Sequence, residues 1–428
     1  MAGSGLTARL SGPEWRIPMR GAFLLVAGLW LFAAPVDAGA GPASLSGHAR
    51  SVLYLYEADA PAPLETRAQA LQYLRLDFRP GLASLSLHTY GSVRGDWSDE
   101  PFDRGRLYFG YLEWAPSTRF GGGSWVRAGR QLVMAGVGTG TVDGIAARAA
   151  LGPGVDLTAF AGTLGAGERD GVTLHGWDES SRFGAMAGFR PHPEWHLAAS
   201  YAVGRRDGHL TDQLLGAHLR AEPSRLLTLY ADARHQFATR TLIDLTGGVT
   251  AGAWRGWTLW GEMSRRNPDL PADSFFSVFD ARPNKEARAQ LSRAITPDIS
   301  ATAGYEATLF DDETTHRVRV GPATRWGGIG FVWSDGAGAR QASLYANGRA
   351  AIGRTLSAHA TFNYFDYDFG PGTLRDSSAL TAAGGLEFRP TPAWSLAGRV
   401  EALRNRLNEY DVRFLGEIRR GFRVGGGR

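Results

Sequence analysis

The sequence holds no cysteine. Disulfide staples, thiol nucleophiles and cysteine metal sites are therefore excluded, as is covalent attachment of a c-type haem by the chain itself. A lipid anchor on an N-terminal cysteine is excluded for the same reason. Lysine is nearly missing too: Lys285 stands alone, and every other member of the Lys and Arg set is arginine. Acidic and basic residues interleave to a formal net charge of +4. No basic stripe marks a nucleic-acid-binding face. Linkers and low-complexity stretches are also lacking. A chain of 428 residues would ordinarily divide into roughly two or three soluble domains, yet no segment stands apart as a unit.

Long apolar runs are limited to one, Gly21 to Ala34. It falls short of the roughly 20 apolar residues of a membrane-spanning helix. Arg16 and Arg20 precede it and Ala38-Gly39-Ala40 follows. Residues 1–40 therefore read as a secretory signal peptide, with Met19 as an alternative start. Residues 41–428 are expected to form one domain.

What the chain has in abundance is alternation. Between Asn408 and Val424 the even positions are Tyr410, Val412, Phe414, Gly416 and Ile418, while the odd ones include Asp411, Arg413, Glu417 and Arg419. Side chains of a strand alternate between faces, so one face is apolar and the other charged. The same rhythm recurs throughout. Leu227, Leu229, Ala231 and Ala233 oppose Thr228, Tyr230, Asp232 and Arg234, and Leu356, Ala358, Ala360 and Phe362 oppose His359, Thr361 and Asn363. Turn signals such as Gly152-Pro153-Gly154 and Arg389-Pro390-Thr391-Pro392 punctuate it. Short turns alternate with longer polar connections, expected at Ser92–Asp103, Arg265–Phe279, Asp311–Thr315 and Asp366–Asp376. A signal peptide followed by two-residue periodicity predicts an all-β fold: a transmembrane, antiparallel, up-and-down β-barrel. About ten short turns imply about 20–22 strands, with 18 at the low end. No residues are left over for a plug domain. Trp195, Trp257 and Trp394 sit just inside short turns and Tyr364 toward the other end of its strand, as interfacial aromatics would.

The charged residues on the inward phase are Arg75, Asp77, Arg220, Asp232, Arg234, Glu262, Glu306, Arg317, Arg319, Arg349, Glu387, Arg389, Arg399, Glu401, Arg413, Glu417 and Arg419. Arginine exceeds acid among them, and basic rings favour anions. The plainer reading is that they pair with one another and solvate the wall. Gly136-Val137-Gly138-Thr139-Gly140 lies between strands rather than before a helix, so a loop folded into the barrel is expected rather than a phosphate cradle. His192 and His196 sit in a Pro-containing turn, not on one helix face, and are not read as metal ligands. No G-x-S-x-G or Ser–His–acid spacing appears. No catalytic residue, metal or cofactor is expected, and the chain is not read as an enzyme.

The stretch Arg127-Ala128-Gly129-Arg130-Gln131, followed by Asp143-Gly144, resembles the strand–loop–strand pattern of large bacterial outer-membrane barrels of the porin-like and alginate-export-like type. That resemblance implies a lumenal ladder including Arg127, Arg130 and Arg148. The expected function is an outer-membrane channel of a Gram-negative bacterium for passive or loop-gated diffusion of small hydrophilic solutes, including anionic ones. Its partners would be outer-membrane lipid, lipopolysaccharide and the solutes. The alternative is the sheath of a porin–cytochrome electron conduit, whose lumen holds a separate periplasmic multihaem cytochrome.

Overall fold

The computed structural model describes residues 43–425 apart from 59–64, 83, 97–99, 117–122, 166–174, 268–281, 337–338, 369–376 and 406–410, with no side chains described at 57–58, 65–66, 100–104 and 339. The expected signal peptide 1–40 lies outside the described residues, as do most of the expected loops at 265–279 and 366–376.

The strands are β1 (Ser44–Ala58), β2 (Glu65–Arg79), β3 (Leu85–Asp96), β4 (Glu100–Trp114), β5 (Trp125–Val133), β6 (Gly140–Gly152), β7 (Val155–Leu164), β8 (Ser180–Phe189), β9 (Trp195–Arg206), β10 (His209–Ser224) and β11 (Leu227–Gln236). The second half continues with β12 (Thr241–Trp254), β13 (Trp257–Arg266), β14 (Asn284–Thr296), β15 (Ile299–Leu309), β16 (Thr314–Thr324), β17 (Gly327–Gly336), β18 (Ala339–Ala351), β19 (Leu356–Asp368), β20 (Ser377–Thr391), β21 (Trp394–Arg404) and β22 (Asp411–Gly425). Each pairs antiparallel with the next. β1 also pairs antiparallel with β22, from Ser44↔Gly425 to Leu55↔Phe414, and this closes a single 22-stranded sheet. Closure removes the unpaired edges that an open sheet would expose.

Twenty-two strands is the upper end of the expected range, and 18 is overturned. The undercounted connections are tight on both ends of the barrel. Asp207-Gly208 joins β9 to β10 with both φ angles positive, 49° and 75°, and Arg255-Gly256 joins β12 to β13 with 50° and 81°. Paired positive φ values make type I′ hairpins, whose twist matches that of the strands they join. The expected long loop Ser92–Asp103 is also corrected. β3 and β4 run through most of it, with Ser92↔Arg106, Val93↔Gly105 and Asp96↔Glu100 in register. Gly91 to Asp103 lacks a sustained apolar alternation, so it reads as loop although its backbone pairs.

Which face is outer follows from burial. Leu245, Leu259, Met263, Leu291, Ile329, Leu386, Val400 and Val412 all lie on one phase of their strands and stay exposed. Charged and small polar residues occupy the other phase. Among the described residues the helical turn Gly136–Gly138 packs on that polar phase against β8, β9 and β10. A short connection from β5 can reach those strands only along a chord inside the barrel, so the polar phase is the inner one. The chief buried apolar cluster lies beneath this strap: Val133, Ala135, Val142, Ala146 and Phe160, flanked by Trp125 and Met186.

Candidate functional site

Strand alternation places Arg75, Asp77, Arg127, Arg220, Asp232, Arg234, Glu262, Glu306, Arg317, Arg319, Arg349, Glu387, Arg389, Arg399, Glu401, Arg413, Glu417 and Arg419 on the inner phase, opposite the exposed apolar residues. Most are paired. Residues two apart share a face of a strand, and this spacing brings together Arg75 and Asp77 (3.2 Å), Arg220 and Glu222 (2.6 Å), Arg389 and Glu387 (2.7 Å), Arg399 and Glu401 (3.4 Å) and Arg419 and Glu417 (2.7 Å). Arg413 pairs with Asp411 in the same way. Other pairs cross strands: Arg127 with Glu113 (2.7 Å), Arg234 with Asp244 (3.4 Å), and Glu306 with Arg288 and Arg317 (3.5 Å each). Asp232 meets His218 at 2.7 Å, and Glu262 accepts from the Tyr230 hydroxyl at 2.6 Å. Arg148 pairs with Asp156 at 3.3 Å on this face too.

Several inner residues escaped the sequence reading. Arg50 reaches across the closing seam to Glu417 (2.7 Å), and Glu286 and Arg288 repeat the two-apart pairing at 2.5 Å. The spacing Glu-x-Arg was the signal that could have found the latter pair. The inner faces of β2–β4 also carry stacked rings: Tyr73 on Tyr90 (6.2 Å), Tyr90 on Tyr108 (4.8 Å) and His88 on Tyr111 (5.1 Å). Offset rings across neighbouring strands stiffen that wall.

Arg130 is placed differently from its expected position in the lumen. It shares the phase of Val126 and Leu132, yet its side chain is only 5% exposed. Its guanidinium donates to both carboxylate oxygens of Asp143, at 2.7 and 2.8 Å, and to the Leu107 carbonyl at 3.3 Å. The β4–β5 ladder ends at Gly110↔Arg130, so Arg130 fills the wall where the two strands part. Its neighbours complete the lock. Gly129 (φ 124°) lies so close to β4 that a Cβ would stand 2.3 Å from the Gly110 carbonyl oxygen. Gln131 donates to the Arg127 and Gly144 carbonyls. The motif that carried the resemblance thus builds the wall.

The strap is held by specific contacts. The Val137 N–H donates to Ser200 Oγ at 3.1 Å. The Arg182 guanidinium donates to the Val137 and Thr139 carbonyls, both at 3.3 Å. A Cβ on Gly138 would meet the Phe160 ring at 2.6 Å, and one on Gly216 would meet the Val137 side chain at 2.5 Å. Between strap and wall lies a cavity of about 420 Å³ bordered by Ser200, His218, Asp232, Asp244 and Glu262.

The expected interfacial aromatics take up the outer phase. Trp195, Trp257 and Trp394 begin β9, β13 and β21 at the short-turn end, and Tyr364 lies toward the opposite end of β19. Two of these tryptophans carry an arginine from the adjacent strand: Arg293 over Trp257 (5.0 Å) and Arg420 over Trp394 (5.1 Å). His192 and His196 do not converge. His192 faces Glu194 at 3.6 Å, while the His196 ring meets His218. No metal-ligand cluster occurs among the described residues.

No family model and no curated protein matches the chain. Solved structures with similar shape include Pseudomonas aeruginosa OccK3 (OpdO), at 12% identity and TM-score 0.43, covering 89% of this chain and 96% of that one. The P pilus usher PapC translocation pore gives 10% identity and TM-score 0.46 over 88% of this chain and 99% of that one. A BenF-like porin from Pseudomonas fluorescens Pf-5 gives 8% identity and TM-score 0.41 over 89% and 99%.

Proposed function

We propose that the chain is a non-enzymatic outer-membrane channel of a Gram-negative bacterium through which small hydrophilic solutes diffuse. One observation carries the reading: a closed 22-stranded sheet whose outer phase is apolar and whose inner phase is lined with charge. In water the exposed outer residues would cost roughly 25 cal/mol for each Å² of apolar surface, and lipid removes that cost. The backbone of a closed barrel is satisfied internally, as a hydrocarbon solvent requires. A barrel of this strand number encloses more space than inward side chains fill.

We read the lumen as open to water, without a plug domain and narrowed on one side by the 136–140 strap. A cytochrome-filled sheath would need the volume that the strap takes up, so the channel reading is preferred. The paired inner charges solvate the wall, and the arginine excess gives a weak anion preference. Purified protein in a planar bilayer is expected to give stable, stepwise conductance, with a reversal potential in a salt gradient on the anion side. Absence of conductance, together with a co-purifying haem absorbance, would sink the channel in favour of the sheath.

A further inference from the structure

At the short-turn end the inner wall is concave across the closing seam. A cavity of about 950 Å³ is bounded on one side by His48, Arg50 and Tyr90, and on the other by Arg354, Arg389 and Arg419 with the turn at Pro392-Ala393. The charges there are not balanced. Glu417 is shared by Arg50 and Arg419, each at 2.7 Å. Glu387 is shared by Arg389 at 2.7 Å and Arg349 at 3.7 Å. Arg354, in the turn between β18 and β19, has no carboxylate partner among the described residues. A guanidinium has five N–H donors, and a shared carboxylate uses only some of them. The two glutamates therefore hold their arginines in place while leaving directed donors and excess positive charge. Asp77, on the neighbouring strand β2, is itself held by Arg75 and His88.

We propose that this cavity is a binding site for a multivalent oxyanion, a solute bearing two or more phosphate or carboxylate groups. The inference deepens the channel reading and rests on it for its access route. Planar guanidinium forks suit carboxylate and phosphate oxygens, and charge-assisted bonds to them are short and strong. A monovalent anion would engage one arginine and leave the others uncompensated. A multivalent one engages more than one of the arginines that border the cavity. Elsewhere on the inner face, as around the strap cavity, Asp232, Asp244 and Glu262 disfavour such a ligand.

The test uses the detergent-solubilised full-length protein and titration calorimetry with inorganic tripolyphosphate, and with tricarballylate as the carboxylate probe, at about 0.1 M ionic strength where exposed charges are partly screened. Saturable binding of at least one probe is expected. Arg354→Ala and Arg389→Ala should each weaken it roughly tenfold, the scale of a lost charge-assisted bond. Arg225→Ala, in the turn between β10 and β11, should leave it unchanged. Preference for one probe names the oxyanion source. No saturable binding of either probe, or binding that the Arg354 and Arg389 variants leave intact, overturns the site. The same probes in a planar bilayer separate the two readings. Binding with no conductance keeps the site and removes the channel; conductance with no binding does the reverse.

Discussion

Arg130 is the residue whose removal should be felt most. Its partner Asp143 is 9% exposed, and the two meet in bidentate geometry. Breaking a buried pair strands a charge away from water and costs about 3–5 kcal/mol, whereas replacing both partners by apolar residues is often neutral. Arg130→Ala is therefore expected to lower the guanidinium unfolding midpoint sharply, and Arg130→Met with Asp143→Leu to recover most of the loss. Equal loss in both variants would show that the pair is not the cause. The sequence could not place this arginine. Alternation puts Arg130 on the outer phase, and the expectation of a lumenal ladder rested on the resemblance instead. Nothing in Gly129-Arg130-Gln131 says that β4 and β5 separate there, because that is set by pairing between distant segments. Arg413 and Glu417 were legible because their strand alternates without interruption and each pairs with a residue two positions away.

Elements differ in how much of themselves they announce. Strands such as β11, β19 and β22 span the apolar belt in step with their polar face, so the solvent on each side has written the pattern. The paired ends of β3 and β4 near Asp96 and Glu100 carry no such alternation in sequence. The strap was foreseeable as an inward fold from its run of glycines between strands, and neither Gly136 nor Gly138 leaves room for a side chain against Ser200 or Phe160. Its anchor was not, because Arg182 lies 43 and 45 residues from the carbonyls it holds. Removing that anchor gives a clear expectation. Arg182→Ala takes away both guanidinium bonds to the strap carbonyls and leaves the Ser200 contact and the packing over Phe160. A hydrogen bond contributes about 1 kcal/mol net, and the apolar cluster beneath the strap stays in place. The variant should show larger or noisier single-channel conductance than the parent with little change in thermal stability. Unchanged conductance would mean that the strap does not narrow the path.

At the scale of the whole molecule, the arrangement reverses the usual soluble protein: oil outside, charge within. This makes two substitutions of identical chemistry diverge. Val400 lies in the middle of β21 on the outer phase and is 49% exposed, while Thr361 lies in the middle of β19 on the inner phase. Arginine on the lipid face of a barrel costs about 2–4 kcal/mol at the bilayer midplane and far less near the interfaces. Arginine on the lumenal face meets water, so its cost to stability is expected to stay within about 0.5 kcal/mol, the range for surface substitutions. Val400→Arg should therefore destabilise the protein in denaturant titrations from lipid vesicles, whereas Thr361→Arg should leave stability intact and shift the reversal potential toward anions. A soluble barrel would show no difference: both variants would be neutral in stability, because both faces would already meet water. The pair thus tests the assignment of faces from which the channel, the strap and the seam cavity all follow.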